Sequence, residues 1–277
     1  MMLSGKARLA GVMGWPVSHS RSPRLHGHWL ERYGIDGAYV PLAVRPERVC
    51  DAVRALPILG FAGCNLTVPH KELVMPALDR VDPLARRIGA VNTVVVAADG
   101  GLEGSNTDAF GFIESLREGA PGWRASDGPA TIVGAGGAVR AIVAALQDAG
   151  VGEIRIVNRT RARADALAAD LGSVVVVDWA DRARALDGVS LLVNGTTQGM
   201  AGEPPLDLDL SHLPAAAVVS DIVYVPLVTP LLAAAAARGN RTVDGLGMLL
   251  HQARPGFERW FGRAPEVTGE LRRIVLG

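Results

Sequence analysis

Short apolar runs alternate with segments of helical period along nearly the whole chain, the pattern that predicts an α/β protein. In the first part, residues 8–13, 38–44 and 61–66 read as strands, and 23–33 and 47–56 as helices. Two further strands near 91–97 and 101–104 flank a turn at Asp99-Gly100-Gly101, and 107–118 reads as a helix. From Ala130 the alternation becomes regular: strand 130–133, helix 137–149, strand 153–157, helix 161–171, strand 173–177, short helix 180–186 and strand 190–194. A strand at 217–223, a helix at 228–238 and a strand at 241–243 follow. This second stretch predicts a Rossmann-type, doubly wound domain. Two closing helices, 246–261 and 265–275, fall outside its repeat and are expected to pack back on the first domain. The expected division is residues 1–107, completed by 246–277, and a nucleotide domain over 108–245, with the glycine- and proline-bearing segment 119–128 as a candidate hinge.

The most informative local pattern is Thr131-Ile-Val-Gly-Ala-Gly-Gly-Ala-Val-Arg140, an apolar strand running through a glycine loop into a helix. Gly134, Gly136 and Gly137, with Ala135 and Ala138 between and after them, leave room for a diphosphate to approach the helix N-terminus and its unpaired N–H groups. The third glycine of the general fingerprint is replaced by Val139, so a plain strand–turn–helix connection stands as the alternative. One βαβ turn later the chain reads Val157-Asn-Arg-Thr160, where an NAD site usually carries a carboxylate for the ribose 2′-hydroxyl. Asn158 and Arg159 stand there instead, and Arg159 would attract a 2′-phosphate that a carboxylate would repel. Together the two motifs predict NADP.

Composition narrows the setting. Among 277 residues, 28 basic side chains balance 28 acidic ones, which leaves no electrostatic footprint for nucleic acid or an anionic membrane. A hydrophobic content of 49% supports large cores. Cys50 and Cys64 are too few for a disulfide framework and lie among apolar residues, so they are expected to be buried free thiols in a reducing cytoplasm. The N-terminus lacks the apolar core of a signal peptide, and no apolar run reaches a membrane-spanning length. The six histidines are scattered, with no spacing for a metal site.

Four polar clusters precede the nucleotide domain. Gly14-Trp-Pro-Val-Ser-His-Ser-Arg-Ser-Pro23 ends the first strand; Ser22-Pro23 reads as a helix start, yet Ser18, Ser20 and Ser22 are more hydroxyls than a cap needs and would suit a small carboxylate. In Asn65-Leu-Thr-Val-Pro-His-Lys71, the lysine falls in the first turn of a helix, against the dipole. Asn92, in Gly89-Ala-Val-Asn-Thr93, reads by itself as a buried turn amide. Thr107 and Asp108, in Gly104-Ser-Asn-Thr-Asp108, read by themselves as helix-capping residues.

Taken in order, these clusters resemble the shikimate dehydrogenase family, and the resemblance extends over nearly the whole chain. The nucleotide-domain motifs at 134–138 and 158–160, Asp221-Ile-Val-Tyr-Val-Pro226 with Thr229, and Asp244-Gly-Leu-Gly-Met-Leu249 with Gln252 match it as well. The resemblance implies a first domain that binds substrate and an NADP-dependent reduction of 3-dehydroshikimate to shikimate, in the pathway to aromatic amino acids. It implies Lys71 as the acid–base residue with Asp108 holding its ammonium. Ser20 and Ser22 would bind the substrate carboxylate with Tyr224 beside it, and Thr67, Asn92, Asp108 and Gln252 the ring hydroxyls. Gly134, Ala135, Gly136, Gly137 and Ala138 would take the diphosphate, and Asn158, Arg159, Thr160 and Arg163 the 2′-phosphate. Thr196, Gly245 and Met248 would complete the cofactor site. The implied enzyme is cytoplasmic, a monomer or homodimer acting on a small molecule.

Two departures stand out. The family's Asn-Ala-Thr-Ser-x-Gly-Met appears as Asn194-Gly-Thr-Thr-Gln-Gly-Met200, and Pro255 lies inside the predicted helix after Gln252. The alternatives are a quinate/shikimate or aminoshikimate dehydrogenase and a catalytically idle NADP-binding paralogue. Ser22 and Arg159 argue for shikimate with NADP, and the intact Lys71 and Asp108 argue against an idle copy.

Overall fold

The computed structural model describes residues 2–277. The chain divides into two compact units, one formed by the chain up to Thr107 with Gln252–Gly277, the other by Asp108–His251.

In the first unit the elements run β1 (Arg8–Gly14), α1 (Ser22–Arg32), β2 (Gly37–Ala43), α2 (Val49–Arg54), β3 (Phe61–Leu66), α3 (His70–Leu73), β4 (Arg80–Val81), α4 (Pro83–Ile88), β5 (Thr93–Val96) and β6 (Leu102–Ser105). They build a mixed six-stranded sheet of order β2-β1-β3-β5-β6-β4. β1 lies parallel to β2 and β3, whereas β5 runs antiparallel to β3 and β6. The predicted helix 47–56 is a 3₁₀ turn over Pro46–Arg48 followed by the short α2. α4 is an element that periodicity missed. Its signals are Asp82, whose side chain accepts from Ala85 N–H, Pro83 at the start and Gly89 in the left-handed conformation at the end.

Beyond these, the second unit contains α5 (Asp108–Gly119), β7 (Ala130–Val133), α6 (Gly137–Asp148), β8 (Ile154–Val157), α7 (Arg161–Leu171), β9 (Val175–Val177), β10 (Leu191–Asn194), β11 (Val218–Asp221), α8 (Pro230–Ala237) and β12 (Arg241–Val243). Their sheet has the order β12-β11-β10-β7-β8-β9, and every neighbouring pair is parallel. The strands are short and apolar because helices cover both faces of such a sheet. The order reverses between β7 and β10, which creates the crevice at their C-terminal ends where this architecture accepts ligands. Residues 180–186 form two 3₁₀ turns, Trp179–Asp181 and Arg184–Leu186, in place of the predicted helix.

α9 (Gly245–Phe261) and α10 (Gly269–Leu276) close the chain. α9 belongs to both units. His251 contacts Glu118 of α5 at 2.8 Å, which ties the first turns of α9 to the second unit and moves the boundary from the predicted 245/246 to 251/252. The rest of α9 packs on the first sheet, and α10 packs against α1. Phe257 and Trp260 are fully buried beside Trp29, and the Trp260 indole N–H donates to Val94 O at 3.0 Å. The Arg21 guanidinium donates to the Val275 and Leu276 carbonyls at 2.6 and 2.7 Å, satisfying the C-terminal end of α10. α9 continues through Pro255, which has no N–H to offer the carbonyl four residues back, at His251.

The expected hinge at 119–128 lies inside the second unit. It is held there by Trp123 Nε1, which donates to Ser190 Oγ at 3.2 Å, and by Arg241, which donates to Gly119 O at 2.6 Å. Glycine and proline mark a change of direction, but these bonds pin the segment to the sheet. Cys64 is buried, and burial pushes its thiol up to about 12, whereas Cys50 is only half-buried, its thiol against Leu73 O at 3.4 Å. Among the described residues no helix is long and apolar enough to cross a membrane.

Candidate active site

In the first unit, residues of three of the four polar motifs meet in one buried cluster. Asn65, at the end of β3, donates to Asn92 O and Thr93 Oγ1, both at 3.1 Å, and accepts from the Tyr39 hydroxyl at 2.6 Å. Asn92 accepts at its Oδ1 from the Thr107 N–H at 2.9 Å and the Thr93 hydroxyl at 2.9 Å. Its amide nitrogen donates to Thr107 Oγ1 at 3.0 Å and to Gln252 Oε1 at 3.3 Å. Asn106 donates to Ala90 O at 2.9 Å. The result is a linked array of amides and hydroxyls whose rotamers are fixed by one another. Asn92 is thus a buried amide, as its motif alone suggested, and it is also the hub that joins β5, the end of β6 and α9.

Behind this cluster sits an aromatic box. The His26 ring stacks on Tyr39 at a centroid distance of 3.9 Å, with Trp29, Phe257 and Trp260 around it. Neither ring nitrogen of His26 has a partner at hydrogen-bond geometry among the described residues, and burial, opposed only weakly by the nearby Asn65 amide, lowers its pKa to about 3. Burial also raises the Tyr39 phenol well above its usual range. His26 is therefore a neutral aromatic wedge that backs the Tyr39–Asn65 contact.

Ser20 and Ser22 lie where β1 gives way to α1. The N-cap residue of α1 is Arg21, with no side-chain cap, so Ser22 is not used as the cap that its Ser-Pro pairing suggested. Ser22 N–H donates to Ser20 Oγ at 3.3 Å, and Ser22 is buried while Ser20 is half-buried. Thr67 follows β3, its N–H bound to Met13 O at 3.0 Å. Lys71 is the second residue of α3, and its carbonyl accepts from Val91 N–H at 2.8 Å, which fixes α3 beside the Asn92 strand.

In the second unit, Asp108 and Tyr224 occupy the first turn of α5 and the turn after β11. Gly134 follows β7 with φ of 118°, a conformation that favours glycine, and Gly136 is the N-cap of α6. Among the described residues no atom lies within 4 Å of where a Cβ on Gly136 would stand, so this turn of the loop is not crowded by the rest of the chain. Ala135 lies in the same loop. Asn158 donates to Thr160 O at 2.7 Å, shaping the loop after β8. Arg159 and Arg163 are exposed and form no ion pair among the described residues, whereas Arg161 between them is tied to Asp165 and Asp178. A cationic pair left for an outside anion fits a 2′-phosphate.

The loop after β10 is organised by a clamp that sequence reading did not find. Buried Asp221 accepts from Asn194 Nδ2 at 3.0 Å, Val223 N–H at 3.0 Å and the Thr229 hydroxyl at 2.7 Å. Burial raises its pKa while these three bonds oppose the rise. Asn194 Oδ1 accepts from Thr196 N–H and its hydroxyl, at 3.0 and 2.7 Å. Gly245 begins α9, and the Asp244 carboxylate accepts from Leu246 N–H at 3.0 Å; Met248 lies buried one turn on. The sequence signal of the Asp221 clamp is an Asp at a strand end with a Thr eight positions later.

A parallel sheet with a glycine loop at its switch point, joined in one chain to a unit bearing a buried polar array and a lysine, defines a two-domain nicotinamide-nucleotide dehydrogenase. Family models agree: residues 12–94 match the shikimate dehydrogenase substrate binding domain, 121–199 the shikimate/quinate 5-dehydrogenase model and 245–269 the shikimate 5′-dehydrogenase C-terminal domain. The chain is 68% identical to a protein of Paramagnetospirillum magneticum named shikimate dehydrogenase (NADP(+)), over 99% of this chain and 100% of that one. The Thermus thermophilus shikimate 5-dehydrogenase solved with NADP(H) and shikimate superposes with a TM-score of 0.86 at 37% identity, covering 97% of this chain and 98% of that one. A quinate dehydrogenase from Corynebacterium glutamicum solved with NAD gives 0.91 at 34% identity, covering 98% and 99%. The protein belongs to the shikimate dehydrogenase family.

Proposed function

We propose that this chain catalyses the NADP-dependent interconversion of 3-dehydroshikimate and shikimate, the step that leads toward aromatic amino acids. The observation that carries the substrate is the cross-braced array of Asn65, Asn92, Thr93, Thr107 and Gln252, a rigid set of amides and hydroxyls suited to a polyhydroxylated ring. The observation that carries the cofactor is the ribose loop, where Arg159 and Arg163 have no ion-pair partner among the described residues and no carboxylate occupies the position of Asn158.

When bound, the nicotinamide supplies or accepts the hydride at the ring carbon that bears the ketone. Gly134–Ala138 hold the diphosphate on the N-terminus of α6, with Asn158, Arg159, Thr160 and Arg163 on the 2′-phosphate. Thr196, Gly245 and Met248 line the nicotinamide end. Ser20 and Ser22 bind the substrate carboxylate, with Tyr224 beside it, while Thr67, Asn92, Asp108 and Gln252 hold the hydroxyls. Lys71 Nζ delivers a proton to the oxygen that becomes the alcohol and takes it back in the reverse direction, and Asp108 orients it. Balanced charge, 28 basic against 28 acidic residues, supports a small-molecule substrate over a polyanionic partner. The enzyme is placed in the cytoplasm, as a monomer or homodimer, on the family resemblance alone.

Initial rates with shikimate and with quinate, each with NADP⁺ and NAD⁺, test the reading. Fast turnover with shikimate and NADP⁺ alone is expected. Comparable quinate turnover would move the protein to the broader quinate/shikimate group, and no turnover by folded protein that binds NADP⁺ would leave an idle paralogue.

A further inference from the structure

Beside the crevice between β7 and β10, two residues that differ from the motifs around them lie in contact. Val139, at the third position of α6, is fully buried. Its side chain points at the Cα of Gly195, the first residue after β10. A Cβ placed on Gly195 would stand inside 3.0 Å of Val139 Cγ2, a separation that real Cβ atoms essentially never show, and 3.2 Å from Val133 O. Gly195 does not adopt a left-handed conformation, so its backbone would accept alanine and only the space refuses it.

Neither side of this contact can yield freely. Gly195 N–H is bound to Val133 O at 2.8 Å, and the next residues are fixed by the Asn194–Asp221–Thr229 clamp. A Cβ on Gly134 would touch the Gly195 carbonyl and Thr196 Cγ2 at 3.1 Å, so the two loops already lie against each other. Val139 is β-branched, helical and fully buried, so its χ1 is stiff, and added bulk at 195 presses on the start of α6, which carries the N–H groups of Gly137 and Ala138.

We propose that Val139 and Gly195 are a size-matched positioning pair that sets the separation between the glycine loop and the Asn194–Met200 loop, and through it the fit of the dinucleotide. This rests on the assignment of NADP above. Val139 fills the space that a side chain at 195 would need, so the two positions accept one isopropyl group between them.

The test is a double-mutant cycle of Gly195→Ala, Val139→Ala and the pair, read by NADP⁺ dissociation constants from nicotinamide titration and by thermal midpoints without cofactor. Gly195→Ala is expected to weaken NADP⁺ binding about tenfold or more, raise the KM for NADP⁺ while leaving that for shikimate near wild type, and lower the midpoint. Adding Val139→Ala should return binding to within about threefold of wild type and recover much of the midpoint. Wild-type binding by Gly195→Ala, or a double variant no better than Gly195→Ala, would overturn the pairing. If the wild-type protein bound no NADP⁺ the cofactor assignment would fall, while the midpoints alone would still decide whether the two residues are coupled.

Discussion

Lys71 is the residue on which the proposed chemistry turns. It sits in a four-residue helix whose position is fixed by the bond from Val91 N–H to its own carbonyl, so its placement does not depend on its side chain. Lys71→Ala is therefore expected to fold normally and to lower kcat by about 10²–10⁴, with shikimate affinity in equilibrium titration largely kept. Wild-type turnover in that variant would refute the acid–base role. Arg159 allows a second test at this scale. The neighbouring Arg161 is occupied by Asp165 and Asp178, so it is a poor substitute for Arg159. Arg159→Ala should weaken NADP⁺ by about 10- to 100-fold, the worth of a charge-assisted hydrogen bond, and leave NAD⁺ almost unchanged. An unmoved ratio of the two affinities would refute the 2′-phosphate contact. Both residues were legible in the sequence because a short motif places them relative to a strand end and a helix start. Asn65 and Thr93 stood in the same motifs without a visible role, because their function is to hold Asn92, 27 and one positions away, respectively.

At the ends of the strands, Asp221 joins the loop after β10 to the turn after β11 through Asn194, Val223 and Thr229. Thr229 in turn accepts from Leu232 N–H at 3.3 Å as the N-cap of α8, so one carboxylate serves three elements. Asp221→Ala would take the acceptor from three buried donors, the Asn194 amide, the Val223 N–H and the Thr229 hydroxyl, and only the Asn194 amide keeps a second partner, at Gln198 O. Stability should fall by at least about 3 kcal/mol, measured by urea denaturation, with faster amide exchange across 194–200. A loss below about 1 kcal/mol would mean that the clamp is not what organises these loops. Helices were readable at this scale where the helical period ran for several turns, as for α7, and short strands such as β3, β7 and β12 where an apolar run was bounded by turn residues. α4 and the 3₁₀ turns were not, since six residues or fewer carry too little helical period to register.

For the molecule as a whole, acid should act first on the unit that contains His26. The folded pKa is about 3 against an ordinary 6.5, so between those values the unfolded chain holds a proton that the folded chain does not. Stability is thus fully present above pH 6.5 and falls as pH drops toward 3, by about 1.4 kcal/mol per pH unit once the unfolded imidazole is protonated. His70, lowered by burial as well, adds in the same direction. Thermal midpoints of wild type and His26→Phe between pH 7 and 5 check this: the variant should show the shallower decline, and parallel curves would rule out His26. The sequence alone determined the alternation of strands and helices, the parallel nucleotide sheet and the positions of the glycine and ribose loops. All of these are local, imposed by backbone periods and turn geometry over a few residues. Only the tertiary structure decided that the chain passes between units at 251/252, that segment 119–128 is pinned, that Val139 excludes a side chain at 195, and that Asn92 meets a glutamine 160 positions away. Those facts depend on how distant surfaces pack and which buried polar groups can reach one another, and neither is encoded in any single stretch of chain.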